Sequence, residues 1–556
     1  MMGRLWAVAL AMAALSVVPR GAAGYKSAWE YIKAREPTML KHPQCHANYF
    51  GGGWIERMRN RKEVCSHGGR EVQSGAGTVE GPLLSAVHCS LQQDNLATES
   101  YCEARNVAID IRTVIDYQSK LPPRKDTGGG TDADAFDAMP GMMRAGCTLD
   151  RDFWKEKHFL EGRGATAMLF RSLREVSAPG SSPAEEPTCV AWVDHPLYVF
   201  ADRWHSKSLW HGFEDIFKGF ESFAIHDLPP DTQVVVADAR IGEDLEEMFN
   251  PIWPLVGHAL SPVHPVTTLV ELATSLGGTD PAALPQNAAI CVRRAVFNIW
   301  ANRSVQSMSG FYNHRRGTLG APTPCRNSSV VRGLVDMIVE RLEKEGKLDP
   351  PPPDVAAKDE TQVVVTYPKR KTRGVKNEAE VLATLKDRFP AASIEPVWLD
   401  KMHLFEQMRH IRRTDVLFGL HGSALTWGLF LRDGSSMIEA VSGRPCFCHQ
   451  SIATWMDHQY IGLTYHEASS LNVDSALNAV SSGIDSVCNR KGKCAAVSRP
   501  AAPAAPRPRR GPKLPKPSAS QGRRGRKNAG GGAGAPPTTH SHTRKKRSAQ
   551  GQIGKV

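Results

Sequence analysis

Apolar and polar positions follow a regular pattern in the second half of the chain. Short runs of β-branched and aromatic residues, typical of buried strands, are separated by stretches of roughly 9 to 13 residues with apolar positions at helical spacing. Strands that alternate with helices predict βαβ units, and therefore an α/β fold with a parallel sheet and helices on both faces. The predicted strands are 362–367, 393–399, 415–420 and 436–441, and the predicted helices are 377–389, 401–413 and 423–431.

The first half of the chain has a weaker pattern. Residues 25–110 are rich in cysteine, glycine and aromatic residues and contain few long periodic segments, which favours a region held together by disulfides. Paired prolines and three consecutive glycines make 122–148 a predicted loop. Further along, the pattern predicts strands at 188–193 and 233–239 and helices at 208–225 and 330–345.

These changes in pattern predict how the chain is divided. A proline-rich linker at 349–354 separates two segments that each contain strands and helices. The predicted segments are a signal peptide at 1–23, a Cys/Gly-rich N-terminal region at 24–187, an N-terminal Rossmann-like domain at 188–349, a C-terminal Rossmann-like domain at 360–494, and a disordered basic tail at 495–556.

The first 24 residues have the layout of a secretory signal. Arg4 precedes an apolar run at 5–18, and small residues follow at 21–23. A 14-residue helix is about 21 Å long, shorter than the roughly 30 Å hydrocarbon core of a bilayer. We therefore expect a cleaved signal peptide, with an uncleaved membrane anchor as the alternative.

Cysteine usage agrees with an oxidising compartment. The chain has 12 cysteines, an even number, and all of them follow the predicted signal. The pairs Cys446/Cys448 and Cys488/Cys494 do not have the usual spacing of zinc ligands. We expect disulfides instead, with a connectivity that the spacing leaves open.

The net charge of +12 suggests a nucleic-acid partner until its distribution is considered. Residues 495–556 contain 15 Lys or Arg and no Asp or Glu, so subtracting these 15 charges from +12 leaves −3 for the preceding 494 residues. We therefore expect no nucleic-acid partner. The tail fits a solvated basic segment, an arm that binds polyanions, or a nuclear import signal at 544–547, and a secretory signal argues against the last.

Residues 415–427 are the most informative for chemistry. A buried strand runs into His421 and Gly422 and then directly into a predicted helix. Ligands of parallel sheets bind beyond the carboxyl ends of strands, where a helix N-terminus favours phosphate. Gly422 lets a ligand approach the backbone, the amides of Ser423 and Ala424 are placed to donate, and His421 is placed to donate to a phosphate or a leaving group. The alternative for His421 is a buried structural histidine.

Two neighbouring strand ends add charged residues to this site. Arg370 and Arg373 follow the strand at 362–367 and precede a helix capped near Asn377, and arginine forks suit a diphosphate. Glu439 ends the strand at 436–441, where a carboxylate can accept from a ribose hydroxyl. The alternatives are an exposed basic loop for the arginines and a surface carboxylate for Glu439.

Together these motifs resemble glycosyltransferase family 61. The resemblance implies a GT-B fold, in which two Rossmann-like domains face a cleft, and a lumenal enzyme that transfers sugars from nucleotide donors with inversion. It implies that 360–494 binds the nucleotide sugar and that no metal or other cofactor is required, although a divalent metal stays open. The matching residues are Arg370, Arg373, Asn377, Glu378, His421, Gly422, Leu425, Thr426, 429–431 and Glu439, with Ser423 where many members have alanine.

An upstream segment also resembles the family, which has N-x-x-H-x-x-x-D in its N-terminal half. His211 and Asp215 match this motif, whereas Ser208 replaces the asparagine. Residues at i and i+4 share one helix face. The resemblance makes His211 or Asp215 the general base that takes the proton of the acceptor hydroxyl; a solvated helical pair is the alternative.

Two further segments, 101–110 and 291–297, resemble blocks of family members that transfer N-acetylglucosamine from UDP to Ser or Thr of EGF-like domains. We therefore expect a UDP-sugar and an acceptor protein, with EGF-like domains or a glycan as acceptor. The endoplasmic reticulum lumen or the Golgi is the expected location, with secretion as an alternative. The competing hypotheses are transfer of xylose from UDP-xylose to a glycan, and a non-catalytic secreted binding protein on the same fold.

Overall fold

The computed structural model describes most of the chain up to residue 491. The predicted signal peptide and the basic tail lie outside the described residues. The described residues are 24–39, 51–66, 83–93, 98–120, 140–150, 152, 172–176, 186–200, 209–237, 253–278, 283–297, 326–348, 362–372, 374–442, 448–465 and 470–491.

Helices and strands alternate most regularly after residue 362. The strands are β1 Lys62–Ser66, β2 Ala86–Gln93, β3 Thr98–Asp110, β4 Met143–Ala145, β5 Thr148–Leu149, β6 Leu173–Glu175, β7 Thr188–Val193, β8 Leu197–Phe200, β9 Gln233–Val236, β10 Thr267–Thr268, β11 Ala288–Phe297, β12 Val364–Pro368, β13 Ser393–Val397, β14 Val416–Leu420, β15 Ser436–Ser442 and β16 Gln459–Tyr465. The helices are α1 Ala28–Met39, α2 Gly52–Met58, α3 Ile111–Lys120, α4 Leu209–His226, α5 Trp253–Leu260, α6 Leu269–Gly277, α7 Ser329–Lys344, α8 Glu378–Arg388, α9 Leu404–Arg413, α10 Cys448–Trp455 and α11 Val473–Lys491, with 3-10 helices at Leu399–Lys401 and Ser423–Phe430.

The smaller sheet confirms the predicted βαβ pattern. Its five strands are all parallel, in the order β13-β12-β14-β15-β16. Leu417 and Met437 pack with α9, α10 and the 3-10 helix Ser423–Phe430, whereas Phe418 and Ile438 pack with α8 and α11. The helices therefore cover both faces of this sheet. Strands β12 and β13 and the helix α9 differ from the predicted bounds by a few residues at their ends.

The larger sheet contains eleven of the described strands and mixes parallel and antiparallel pairs. Parallel pairs join β8, β9, β10 and β11, and the long antiparallel pair β3–β11 continues the sheet towards β1 and β2. The sheet thus includes strands from both sides of residue 187. The two segments predicted as family blocks, 101–110 and 291–297, are neighbours in it.

For the first half, one expectation is confirmed and one was wrong. The region 25–110 is held by the disulfides Cys65–Cys147 and Cys89–Cys102 as predicted, and it also contains long elements, since α1 has 12 residues and β3 has 13. The predicted loop 122–148 contains β4 and the start of β5. The strands β4 and β5 are too short to show a period-2 pattern. The strand β3 does not show one clearly, because its sequence mixes polar with apolar side chains.

The main hydrophobic core joins the two sheets. It contains side chains from α1, α4 and α7 of the first half together with α9, the 3-10 helix Ser423–Phe430 and α10 of the second half. Phe213 of α4 lies edge-on to Trp427, with ring centroids 6.2 Å apart. The helix with the predicted general base therefore packs directly against the turn with the predicted phosphate site. The GT-B arrangement of two facing domains stays a prediction.

Disulfides are present, as the cysteine count predicts. The pairs are Cys65–Cys147, Cys89–Cys102 and Cys189–Cys291, and Cys448 and Cys488 are also disulfide-bonded. These bonds indicate an oxidising compartment. Within the described ranges, no helix combines the length and the apolar character that a membrane crossing requires.

Candidate active site

The carboxyl ends of the five parallel strands meet at one edge of the smaller sheet. β12 pairs with β13 on one side and with β14 on the other, so the strand order reverses between β12 and β14. Ligands of open parallel sheets bind in the crevice outside such a switch point. Arg370 lies two residues after β12, and His421 follows β14 directly. The two predicted phosphate-binding segments therefore flank this crevice.

The guanidinium of Arg370 lies against the turn at Gly422. Its Nη1 donates to the carbonyl oxygen of His421 at 2.5 Å. A Cβ added at Gly422 would lie 2.8 Å from this Nη1 and 2.9 Å from Cζ, which is closer than atoms pack. The backbone of Gly422 is extended, with φ 161° and ψ 172°. Glycine is therefore needed here for space rather than for backbone freedom.

The turn continues into the 3-10 helix Ser423–Phe430, where the sequence predicts a short helix. Ser423 is exposed at its start, and the amide of Leu425 donates to the carbonyl of Gly422 at 3.0 Å. Thr426 is fully buried, and its hydroxyl has no hydrogen-bond partner among the described residues. The tight turn thus brings Ser423 to the surface while it directs Thr426 into the interior.

Glu439 of β15 is at the centre of a hydrogen-bonded cluster. The side chain is only 2% exposed. Its Oε1 lies 2.5 Å from Nδ1 of His421 and 2.7 Å from Nδ1 of His449, and its Oε2 accepts from the hydroxyl of Tyr460 at 2.6 Å. The predicted ribose contact of Glu439 stays a prediction, and the contacts described here are all with the protein itself.

Electrostatics keep this carboxylate charged. Burial by itself would raise the pKa of Glu439, but hydrogen bonds from His421, His449 and Tyr460 outweigh burial and hold that pKa well below its usual range. Burial and the neighbouring carboxylate raise the pKa of Tyr460, so its hydroxyl stays protonated and donates. The result is a buried negative charge surrounded by donors, directly behind His421.

The same cluster has a composition that zinc sites use. His421, Glu439 and His449 each offer one ligand atom, and these atoms lie within 4.8 Å of one another. Two ligands about 2.1 Å from a tetrahedral zinc would, however, lie about 3.4 Å apart. The nitrogen–oxygen distances of 2.5 and 2.7 Å are hydrogen-bond distances.

Helix α4 contributes to the same region from the first half of the chain. The indole of Trp210 meets the ring of His449 edge-on at 5.8 Å, and its Nε1 donates to Glu214 at 3.1 Å. Asp215 is 7% exposed, and its Oδ1 lies 2.7 Å from Nζ of the fully buried Lys218. Asp215 is therefore a buried carboxylate with a charged partner one turn along the helix.

Other predicted site residues lie outside the described set. Arg373 is one, and Ser208 is another. For His211 the structure gives the helical backbone within α4 but not the side chain. The roles expected for Arg373 and His211 therefore remain predictions from the sequence.

The sequence analysis did not identify His449, Tyr460 or Trp210. His449 and Tyr460 lie in α10 and β16, a helix and a strand that the sequence analysis does not predict. One signal was available: Glu439 interrupts an otherwise apolar strand, and a buried carboxylate must find donors. Aromatic or imidazole groups on the next elements along the chain were the natural candidates.

Comparisons with known proteins concern the family that this chain resembles. Residues 257–438 match the sequence model of the family described as Glycosyltransferase 61. The chain is 22% identical over 363 residues to the EGF domain-specific O-linked N-acetylglucosamine transferase of Drosophila melanogaster, which covers 64% of this chain and 59% of that protein. It is 20% identical over 458 residues to the protein of the same name from Canis lupus familiaris, with 78% and 74% covered.

A plant enzyme is similar as well. The β-1,2-xylosyltransferase of Arabidopsis thaliana is 23% identical over 302 residues, which cover 50% of this chain and 52% of that protein. The matches therefore span about half to three quarters of the length of these relatives. The resemblance to glycosyltransferase family 61 that the arginines and the His-Gly turn predict is confirmed.

Proposed function

We propose that this protein is an inverting glycosyltransferase that transfers N-acetylglucosamine from a UDP donor to a Ser or Thr hydroxyl of a protein in the secretory pathway. The observation that supports this most is the contact of Arg370 with the Gly422 turn at the switch point of the parallel sheet. An arginine fork held over a glycine turn suits a diphosphate, whose charge must be stabilised as it leaves.

The proposed reaction needs three protein groups. The acceptor oxygen forms a bond to the anomeric carbon while the bond from that carbon to the β-phosphate oxygen breaks, and UDP leaves with the electron pair. Arg370 and the turn at Gly422 and Ser423 stabilise the developing charge on the diphosphate. His211 or Asp215 takes the proton of the acceptor hydroxyl. We assign no step to a metal.

The position of α4 supports this division of roles. The helix packs against the 3-10 helix Ser423–Phe430 through Phe213 and Trp427, so its side chains approach the donor turn from the other half of the chain. A GT-B arrangement, with the acceptor base on one half and the donor site on the other, is part of the proposal.

The choice of sugar and acceptor comes from the relatives. Two of the relatives carry the name EGF domain-specific O-linked N-acetylglucosamine transferase. This name favours N-acetylglucosamine as the sugar and an EGF-like domain as the acceptor. The plant relative favours a second candidate, transfer of xylose from UDP-xylose to a glycan. The disulfides favour the endoplasmic reticulum or the Golgi as the place of action.

A donor panel tests the proposal. Purified protein is incubated with UDP-N-acetylglucosamine, UDP-xylose and other UDP-sugars, with a folded EGF-like domain or an N-glycan as acceptor, and released UDP is measured. Arg370→Ala should abolish most of the turnover. Arg409→Ala is the matched control, because Arg409 lies in the same half and also donates to a backbone carbonyl, that of Lys347.

Each outcome distinguishes the candidates. Turnover with UDP-N-acetylglucosamine and the EGF-like domain supports the first function, and turnover with UDP-xylose and the glycan supports the second. Stabilisation by UDP without turnover of any donor would favour a non-catalytic binding protein. No turnover, together with an Arg370→Ala variant that behaves as wild type towards UDP, would refute the assignment of the site.

A further inference from the structure

The cluster around Glu439 is built from three separate elements. His421 follows β14, His449 lies in α10, and Tyr460 lies in β16. All three donate to one carboxylate that is 2% exposed, two of them to Oε1 and one to Oε2. A carboxylate this buried and this well satisfied is arranged to hold other groups in place.

The three partners differ in their exposure. The side chain of His421 is 34% exposed, whereas that of His449 is 3% exposed. Trp210 covers His449 edge-on, and Tyr460 closes the far oxygen of the carboxylate. Of the two histidines, His421 is therefore the one that reaches the crevice, and its own carbonyl accepts from Arg370 there.

We propose that Glu439 is a positioning residue that acts through His421, and that His449 and Tyr460 hold Glu439 in place for this role. This inference rests on the proposed function. With Nδ1 of His421 hydrogen-bonded to Glu439, its Nε2 is directed away from the carboxylate. Glu439 thereby fixes the orientation of the imidazole, so that Nε2 is placed to contact an oxygen of the donor diphosphate.

The geometry favours this role over two others. Metal coordination needs nitrogen–oxygen separations of about 3.4 Å, longer than those found between the carboxylate and either imidazole. A direct contact of Glu439 with the ribose needs access to the carboxylate, whereas this side chain is only 2% exposed and already accepts three hydrogen bonds inside the protein.

A double-mutant cycle tests the proposal. We compare wild type, Glu439→Gln, His421→Ala and the double variant, by the affinity for UDP in calorimetry and by kcat/KM with the best donor. Each single variant should lose about 10- to 100-fold, as is typical when an outer hydrogen-bond partner is removed. Because Glu439 acts through His421, the double variant should match His421→Ala within about twofold.

The opposite results are equally clear. Losses that multiply in the double variant would mean that Glu439 contacts the donor itself, and would overturn the inference. A Glu439→Gln variant with unchanged UDP affinity and unchanged kcat/KM would overturn it as well. If the wild-type protein binds one equivalent of zinc tightly and His449→Ala does not, the cluster is a metal centre and the inference is overturned.

Two further variants protect the test from a folding defect. Tyr460→Phe removes one donor and keeps the carboxylate, so it should cause a smaller loss that also vanishes in the His421→Ala background. Glu395→Gln is the matched control: it changes a carboxylate of the same sheet that pairs with Arg413 at 2.6 Å, and it should leave UDP affinity unchanged.

The cycle also separates this inference from the proposed function. A wild-type protein that turns over no UDP-sugar would refute the proposed function. The cycle on UDP affinity would still decide whether Glu439 acts through His421. If wild type does not bind UDP at all, the inference and the proposed function are both wrong.

Discussion

Gly422→Ala is the most discriminating change at the candidate site. The backbone at Gly422 is extended, so alanine fits it without strain. The closest conflict is with Arg370, whose Nη1, Cζ and Nη2 lie 2.8, 2.9 and 3.0 Å from the position of the new Cβ. The substitution therefore displaces one guanidinium and leaves the fold intact, because the end of a long side chain can move.

The size of the effect follows from these distances. An ordinary contact of about 3.5 Å requires the guanidinium to shift by about 0.7 Å. This shift weakens the 2.5 Å hydrogen bond of Arg370 to the carbonyl of His421 and moves the guanidinium away from the position proposed for its contact with the diphosphate. A hydrogen bond to a charged group contributes about 1.5–3 kcal/mol, equivalent to about 10- to 150-fold in Kd. A displacement near 1 Å can also slow catalysis by about 100-fold.

Calorimetry measures the affinity for UDP, and a thermal melt shows whether the fold is intact. We expect UDP affinity to fall by about 10- to 100-fold and the melting temperature to stay within a few degrees of wild type. Gly374→Ala is the control, since a Cβ there lies within 4 Å of no atom of the described residues apart from its chain neighbours. In an Arg370→Ala background, Gly422→Ala should have no further effect on UDP affinity. Full affinity in the single variant, or an equal loss in both backgrounds, would refute the reasoning.

Two predictions concern stability. A Cβ at Gly428 would lie 2.5 Å from Sδ of Met437 in the core. Gly428→Ala should therefore lower the free energy of unfolding, measured by urea denaturation, by about 1–3 kcal/mol. An unchanged denaturation midpoint would contradict this. Burial lowers the pKa of His226 to about 4 and that of His458 to about 3. Since the unfolded chain takes up these protons near pH 6.5, stability should fall as pH decreases from about 6.5 towards 4, by at most about 1.4 kcal/mol per pH unit for each histidine. Denaturation curves at pH 7 and 5 measure this, and His458→Gln should reduce the difference; equal stability at both pH values would show that these histidines are not buried as described.

The sequence alone predicts the parallel sheet well. Each strand of the second half is a short apolar run between polar residues, and each helix between them has its own apolar face, so periodicity identifies both. Positions at the carboxyl ends of these strands then share one edge. That rule is enough to place Arg370 and His421 in the same region, and the contact between them agrees with it.

The larger sheet and the cluster around Glu439 depend on contacts between elements, which a local sequence pattern does not predict. β3 and β11 pair over eight positions although almost 200 residues separate them, and pairing with β11 on one side and β2 on the other makes the partly polar segment 98–110 a strand. Likewise His449 is ten residues from Glu439 along the chain, in a segment without a period. Its role follows from where α10 packs, which the sequence does not determine locally.

Glu439 shows how a departure from the local pattern can indicate function. The strand β15 is buried from Ser436 to Val441, and a fully buried strand favours β-branched or other apolar residues at every position. A carboxylate here is costly, and even a well-paired buried charge is often no more stable than an apolar replacement. Three donors from three elements have to be arranged around it. A requirement for folding would be met more simply by another apolar residue, so this arrangement behind His421 is better explained by what the imidazole does at the crevice.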